Sequence, residues 1–155
     1  MEKTNVMRIL DQKKVPYREY HVETEVALSA AELADALKVD VRKVYKTLVT
    51  QAKSKKYYVF MLRADEQLDL KKAAKAANEK SIDMIPQKDL LPLTGYVHGG
   101  CSPIGMKKAF PTYISASVNE VDSFLFSAGK IGYQVEMQLQ DLQKVIRVQT
   151  AEIAI

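Results

Sequence analysis

The 155-residue sequence contains no tryptophan, one cysteine and two histidines. Because Cys101 is the only cysteine, no disulfide can form within the chain. Together with His21 and His98, it gives too few ligands for the usual four-ligand Cys/His zinc site, and no carboxylate spacing indicates a metal. No apolar run approaches the roughly 20 residues of a membrane-spanning helix. We therefore expect a protein that uses no metal, no other cofactor and no membrane.

Length and composition indicate one globular domain over residues 1–155. Hydrophobic residues make up 47% of the chain and charged residues 27%, an ordinary mixture. No repeat, low-complexity segment or linker divides the chain. The first ten residues include Glu2 and lack the apolar core of a signal peptide, which favours a cytoplasmic protein. The net charge of +4 is compatible with a polyanionic partner, although a solvated surface also explains it.

Hydrophobic spacing predicts several helices. The first is expected over residues 4–14. The second follows Ser29 and Glu32, which form a capping-box pattern. A third has an apolar face that begins at Leu70, and a short helix is expected over residues 141–145.

Strand signals alternate irregularly with these helices. The strongest are residues 45–51 and 57–64, joined by a polar hairpin, and the second run is apolar on both faces, as in a central strand. Residues 134–139 alternate polar and apolar side chains, which predicts one solvated face. Further strands are expected at 17–22, 81–85, 112–117, 124–127 and in the tail. This order predicts an α/β protein of the α+β type, with a mixed, partly barrel-like sheet and peripheral helices.

Four of the six glycines fall within residues 95–105, GYVHGGCSPIG, which we call the glycine loop. Glycine permits positive φ angles and lets the backbone approach a ligand closely. Several N–H groups directed at one point could stabilise an anion or a developing oxyanion. A connecting loop with tight turns explains the same composition equally well. The P-loop spacing is absent, so the loop does not indicate nucleotide binding of that type.

Lys46 is a second candidate, because it begins a predicted strand. Its side chain either extends to solvent at the sheet edge or projects into a site, where it could supply charge to a phosphate or carbonyl oxygen. Cys101 is more often a small buried hydrophobe than a nucleophile. Ser102 lacks the GxSxG pattern of a serine nucleophile. Lys107 and Lys108 follow the glycine loop, where they could meet phosphates of an RNA end.

Three strings carry a family resemblance: VYKTL at 44–48, QLDLKKAAKA at 67–76 and GYVHGGCSPIGMKK at 95–108. With SAGKIG at 127–132, they resemble the YbaK/EbsC family of aminoacyl-tRNA editing proteins. The order and spacing of these strings extend through nearly the whole chain.

The resemblance implies an editing-domain fold like that inserted in some prolyl-tRNA synthetases, and deacylation of mischarged tRNA. The branch acting on Cys-tRNA(Pro) is the most similar, and it uses the substrate's own thiol. The implied partners are the acceptor end of mischarged tRNA and prolyl-tRNA synthetase. The residues implied at catalytic positions are Lys46, Gly99, Gly100 and Ser102, and those at substrate-binding positions are Tyr20, Ser29, Gly105 and Gln134.

Two positions depart from the cysteinyl pattern. No aromatic residue lies near Leu28 and Ser29, where that branch has Phe, and Gln134 replaces an acidic residue. Three alternatives therefore stay open: an Ala-tRNA(Pro) deacylase that uses water, a non-catalytic module that binds tRNA or a synthetase, and a hydrolase of another acyl ester.

Overall fold

The computed structural model describes residues 2–155 and contains five short α-helices and eight strands. The helices are α1 (Asn5–Gln12), α2 (Ala30–Leu37), α3 (Leu70–Ala76), α4 (Leu90–Thr94) and α5 (Leu139–Leu142). The strands are β1 (Arg18–His21), β2 (Tyr45–Ala52), β3 (Tyr57–Arg63), β4 (Ile82–Met84), β5 (Thr112–Ser115), β6 (Phe124–Ser127), β7 (Tyr133–Met137) and β8 (Val148–Ala151). Short 3₁₀ turns cover Val41–Lys43, Gln87–Asp89 and Ala116–Glu120.

The strands form two sheets. The smaller is antiparallel, with the order β1-β7-β6, and the larger has the order β4-β2-β3-β5-β8. In the larger sheet, β2 pairs antiparallel with β3 and β4, whereas β5 pairs parallel with β3 and β8. A single parallel bridge between Val44 and Leu125 joins the two sheets. The mixed α+β fold is therefore confirmed, and the strands do not close into a barrel.

The apolar core lies on both faces of the larger sheet. On one face, α1 packs against the inner side of both sheets, and its buried residues Val6, Met7 and Leu10 join that cluster. On the other face, Phe60 and Leu62 of β3 pack against α3. Both faces of β3 are thus covered, which confirms the central strand that its continuous apolar run predicts.

Local sequence signals explain where α2 begins. This helix lies close to Val44, which forms the bridge between the two sheets. The Ser29 hydroxyl accepts from Glu32 N–H at 3.1 Å, and the Glu32 carboxylate accepts from Ser29 N–H at 3.0 Å. This reciprocal pair is the expected capping box. Behind it, Leu33 and Ala34 pack against Val44 at the start of β2. The cap therefore fixes where α2 sits relative to β2.

The prediction of a solvated face on the last long strand is wrong. Gln134 and Glu136 of β7 are both only 7% exposed. The Glu136 carboxylate is buried because it accepts hydrogen bonds from Lys43 Nζ, Ser123 Oγ and Tyr20 OH. A buried charge is tolerated when it is paired and hydrogen-bonded in this way. Those partners are remote in sequence, so the alternation along β7 could not indicate them.

Several boundaries also differ from expectation. The strand expected over 112–117 ends at Ser115, whose hydroxyl accepts from Ser117 N–H and starts a 3₁₀ turn. The helix expected over 141–145 begins earlier and spans α5. Helix α4 is not among the helices predicted from the sequence, and it contains a proline. Pro92 lies in the first turn, where a missing N–H costs no hydrogen bond.

Candidate active site

A cavity of about 320 Å³ lies between β2, the start of α2, the glycine loop and the start of β7, and we call it the central pocket. Its polar lining comes from Lys46, Thr47, His98, Ser127 and Gln134. Small and aliphatic side chains form most of the remaining wall, namely Ala27, Leu28, Ala30, Leu33, Val44, Leu48, Ala64 and Leu90. A mostly apolar cavity with a few convergent polar groups is the usual form of a small-ligand site.

Lys46 reaches the central pocket from the second residue of β2. Its Nζ donates to two backbone carbonyl oxygens, that of Ala64 at 3.2 Å and that of Glu66 at 2.6 Å. An ammonium group has three N–H donors, so one donor is left for a ligand. The turn after β3 therefore fixes the direction of the lysine while leaving part of its charge available.

The turn that holds Lys46 is itself fixed by the Glu66 side chain. One carboxylate oxygen accepts from Arg63 N–H at 2.9 Å and from Ser117 Oγ at 3.0 Å, and the other accepts from Ser115 Oγ at 3.1 Å. Ser117 Oγ also lies 2.8 Å from Tyr45 OH. This network ties the turn to β5 and β2. Glu66 gave no sequence signal, because its importance comes from contacts about 50 residues away.

Thr47 presents a hydroxyl without a partner. Its Oγ1 is buried and is the only buried side-chain oxygen or nitrogen within residues 2–155 that makes no hydrogen bond. An unsatisfied buried hydroxyl costs about 1–3 kcal/mol, so a native structure usually has a reason for one. Thr47 lines the central pocket, so a small shift of its side chain would bring this hydroxyl, which is closed to solvent, within reach of a ligand. Sequence reasoning did not select it, because alternation along β2 groups it with the core residues Tyr45 and Val49.

The glycine loop closely approaches Ala27, which lines the central pocket just before α2. Gly99 has φ +86°, and a Cβ added there would lie 2.6 Å from the Cβ of Ala27. Its amide and that of Cys101 have no hydrogen-bond partner in the part of the chain that the structure describes. Gly100 differs, because its N–H donates to the Val97 carbonyl oxygen at 3.0 Å. Two pocket-lining residues, Gly99 and Cys101, thus retain free backbone donors.

Neither Cys101 nor Ser102 has the surroundings of a nucleophile. Burial raises the pKa of the Cys101 thiol to about 12, so it is neutral at ordinary pH. Ser102 is fully buried, and its Oγ accepts from Ile104 N–H at 3.3 Å. Neither side chain has a hydrogen-bonded base in the described part of the chain. His98 lines the central pocket but contacts neither of them through a hydrogen bond.

Three of the eight predicted site residues line the central pocket: Lys46, Gly99 and Gln134. Gly100 packs behind the loop, where an added Cβ would lie 3.3 Å from Ile131 N, and Ser102 is buried beside it. Gly105 lies against α1, where a Cβ would come within 2.8 Å of Tyr96 OH. The side chains of the remaining two are engaged elsewhere.

Ser29 is occupied by the capping box of α2, and the Tyr20 hydroxyl donates to the Glu136 carboxylate at 2.7 Å. Burial alone would raise the pKa of Glu136, but hydrogen bonds from Lys43, Ser123 and Tyr20 outweigh it and hold the pKa at about 2. Glu136 is therefore ionised at neutral pH, and it orients Tyr20 along β7 next to Gln134. The two residues Tyr20 and Gln134 are cross-strand partners.

No group of three or more His, Cys, Asp or Glu side chains within residues 2–155 could hold a metal ion. In the same residues, no helix is long and apolar enough to cross a membrane.

Comparison with known proteins identifies the family. A model of the aminoacyl-tRNA editing domain matches residues 24–145, which include every wall of the central pocket. The chain belongs to the aminoacyl-tRNA editing domain family. Its resemblance to YbaK/EbsC proteins is thereby confirmed, and so is the expectation of an aminoacyl-tRNA editing enzyme.

Members of this family include a relative of similar length. EbsC of Enterococcus faecalis, provisionally named a Cys-tRNA(Pro)/Cys-tRNA(Cys) deacylase, is 42% identical over 153 residues. The match covers 98% of this chain and 93% of EbsC. The likeness therefore extends beyond the strings that carry the resemblance to nearly the whole chain.

Solved structures show the same fold at lower identity. A protein provisionally described as a trans-editing enzyme for prolyl-tRNA synthetase has a TM-score of 0.82 at 20% identity, and the match covers 99% of each chain. A hypothetical protein has a TM-score of 0.86 at 16% identity, over 98% of this chain and 100% of the other. These likenesses support the arrangement of two sheets and peripheral helices.

Proposed function

We propose that this protein cleaves the ester of mischarged tRNA in the central pocket, with Cys-tRNA(Pro) as its main substrate. The observation that carries the proposal is that Lys46, the two residues with unpaired backbone N–H groups, and Thr47 with its unpaired hydroxyl all line a single small cavity. The name of EbsC supports the cysteinyl ester as the substrate class.

The free backbone donors suit the oxyanion of ester cleavage. When a nucleophile attacks the ester carbonyl carbon, negative charge develops on the carbonyl oxygen. The N–H groups of Gly99 and Cys101 are unpaired, so they can donate to that oxygen without first breaking a hydrogen bond within the protein. Removing one such donor costs about 10²–10³ in rate in other enzymes.

Lys46 supplies the positive charge of the pocket. Its two bonds to backbone carbonyls fix the ammonium group, and its third N–H can donate to the ester oxygen or to the terminal phosphate. The Thr47 hydroxyl is the adjacent donor without a partner. It can bond a second polar atom of the aminoacyl-adenosine end.

The substrate thiol provides the nucleophile. Its sulfur attacks its own carbonyl carbon, and a C–S bond forms while the C–O bond to the ribose breaks. The ribose oxygen takes the proton released by the thiol, and the product is a four-membered thiolactone that water then opens to free cysteine. Holding sulfur and carbonyl in contact is the main catalytic device. This route requires no nucleophile from the protein and fits the neutral thiol of Cys101.

Thiol attack also selects the substrate chemically. A prolyl ester has no thiol, so it cannot follow this path even if it enters the pocket. Fit alone discriminates a missing methylene by only about 1–3 kcal/mol. The small side chains Ala27, Ala30 and Ala64 leave room for a short amino acid, whereas Leu28 gives an aliphatic wall where the cysteinyl branch has an aromatic residue.

The direct test compares deacylation of Cys-tRNA(Pro), Ala-tRNA(Pro) and Pro-tRNA(Pro) by the purified protein. We expect rapid loss of the cysteinyl ester and spontaneous rates for the prolyl ester. Turnover of the alanyl ester alone would assign a water-dependent reaction and refute the thiol mechanism. Binding without turnover of any ester would instead identify a tRNA- or synthetase-binding module. Repeating the assay with prolyl-tRNA synthetase present shows whether a synthetase delivers the tRNA.

A further inference from the structure

A second concave surface lies on the far side of the glycine loop from the central pocket. It has a volume of about 450 Å³ and is bordered by Lys13 at the end of α1, Lys108 after the glycine loop and Arg147 before β8. We call it the basic groove. Its floor is apolar and is formed mainly by Ile9, Ile104, Met106, Phe110, Val145 and Ile146.

The charge of the basic groove has one sign only. None of its lining residues is acidic. An adjoining depression shares Pro111, Ile146 and Arg147 with it, and its lining also contains no acidic residue. These two adjoining surfaces therefore carry basic but no acidic side chains, in a chain that has 19 acidic and 23 basic residues.

The three cations of the basic groove have no partners. Lys13, Lys108 and Arg147 are exposed, and within residues 2–155 their side chains make no ion pair or hydrogen bond. Other basic residues are neutralised, such as Lys43 by Glu136 and Lys130 by Glu2. The groove therefore presents uncompensated positive charge, which attracts a polyanion by releasing its counterions.

The floor of the basic groove favours a nucleic-acid backbone over a protein segment. Ile9, Met106, Phe110 and Ile146 are half-buried and pack against the main core. Within residues 2–155, the exposed large hydrophobic residues, among them Val26 and Leu91, all lie elsewhere. Affinity for a protein segment usually comes from well-packed apolar and aromatic anchors. Here the floor residues are only half-exposed, and the groups that project at the rim are the three cations, which suit phosphates.

The glycine loop connects the two sites. Its residues His98, Gly99 and Cys101 line the central pocket, and residues 103–105 line the basic groove. Consecutive Cα atoms are 3.8 Å apart, so Cys101 and Pro103 are separated by at most about 8 Å. A tRNA that leaves the central pocket across this loop would therefore reach the groove that Lys13, Lys108 and Arg147 line.

We propose that the basic groove binds the sugar-phosphate backbone of tRNA beyond its 3′ end, through Lys13, Lys108 and Arg147. This inference rests on the proposed function, because it assigns the groove to the same substrate. The groove supplies affinity that the small central pocket does not, and it contributes no sequence discrimination, since phosphate contacts position a nucleic acid without reading its bases.

The test uses a triple variant of the groove, K13Q/K108Q/R147Q, and a matched control, K71Q/K75Q/K80Q. The control residues are also exposed lysines without ion pairs in the described chain, and they lie on or just after α3, away from both sites. Both variants lose three positive charges, so the overall electrostatic attraction changes equally. Circular dichroism checks that both fold. Binding of uncharged tRNA(Pro) is then measured by fluorescence anisotropy over a range of salt concentrations.

We expect the groove variant to bind tRNA about tenfold or more weakly than the control variant at low salt. The slope of log K against log[salt] should fall by roughly one for each lost phosphate contact. On charged tRNA, KM should rise with kcat retained, and a short aminoacylated CCA oligonucleotide should be cleaved equally by both variants.

Equal tRNA affinity and equal salt slopes in the two variants would overturn the inference. A groove-dependent binding of poly-glutamate without groove-dependent binding of tRNA would also overturn it, and would assign the surface to an acidic protein. Failure of the proposed function is a separate result, because it would appear as no deacylation by wild type. The groove measurement uses uncharged tRNA and does not depend on turnover.

Discussion

The ammonium group of Lys46 lies 2.6 Å from the carbonyl oxygen of Glu66, and this contact directs the lysine into the central pocket. The Glu66 carboxylate is anchored by Ser115 and Ser117, so its turn is held by the end of β5 and by the 3₁₀ turn that follows. The Glu66 side chain thus positions Lys46 indirectly. Its hydrogen bonds fix the turn, and the turn fixes the Glu66 carbonyl oxygen to which Lys46 donates.

Replacing Glu66 with alanine should lower kcat by about tenfold or more while KM changes little. The reason is that a displacement of a catalytic group by about 1 Å is enough to slow a reaction substantially. Single-turnover deacylation measures this effect. Glu66→Gln keeps an acceptor for the serines and should recover part of the rate. If Glu66→Ala is as fast as the exposed control Glu23→Ala, Lys46 does not depend on this turn.

Thr47→Val should slow deacylation without lowering the stability of the protein. The substitution removes the one buried hydroxyl without a partner and keeps the side-chain shape, so the free energy of unfolding should stay the same or rise by up to about 1 kcal/mol. Deacylation should nevertheless slow about tenfold, because the ligand loses a hydrogen bond in the pocket. Thermal unfolding and kinetics on the same samples measure both effects. Full activity in the variant would show that the hydroxyl does not bind substrate.

Gly99 and Gly95 form a matched pair for testing the close approach of the glycine loop. Both have φ near +87°, but an alanine Cβ at Gly95 would meet only the flexible Lys107 side chain at 3.4 Å, whereas one at Gly99 would meet Ala27 at 2.6 Å. Gly95→Ala should lose about 1–2 kcal/mol from backbone strain alone. Gly99→Ala should lose more and should also lose activity. Similar unfolding free energies for the two variants would contradict this contact.

The hydrogen bonds to Glu136 should make stability depend on pH. The pKa of Glu136 in the folded protein is about 2, below the ordinary value near 4.5, so the carboxylate contributes stability above pH 4.5 and loses it as pH falls toward 2. Glu136→Gln should therefore be less stable than wild type at pH 7, by about 1–3 kcal/mol. Denaturant unfolding from pH 7 to pH 2 should show this difference shrinking. A difference that is constant with pH would show that the carboxylate charge contributes nothing.

Much of the fold followed from periodicity and caps. The apolar run of β3 indicated a central strand, and Ser29 with Glu32 indicated where α2 begins, because both signals are local. The prediction of a solvated face on β7 was wrong because the contacts that bury this face are not local. Glu136 is buried by partners 13 to 116 residues away, and no pattern within β7 carries that information.

Some residues of the candidate site could likewise be recognised from the sequence, and others could not. Lys46 and the glycine loop were recognisable because their residue types are unusual where they occur. Thr47 and Glu66 were not recognisable from the sequence. Thr47 stands out only because its hydroxyl lacks a hydrogen-bond partner, and Glu66 only because of its hydrogen bonds to Ser115 and Ser117. Gly100 was expected among the oxyanion donors, but the structure commits its N–H to Val97 and leaves the amide of Cys101 free.

The most direct test of the account is the rate of Cys-tRNA(Pro) deacylation by Lys46→Ala beside that of Cys101→Ala. We expect Lys46→Ala to lose most of the wild-type rate, because the charge in the pocket is gone. Cys101→Ala should keep most of it, since the buried thiol of the protein is neutral and the substrate supplies the nucleophile. The reverse pattern, an active Lys46→Ala and an inactive Cys101→Ala, would contradict both the site and the mechanism.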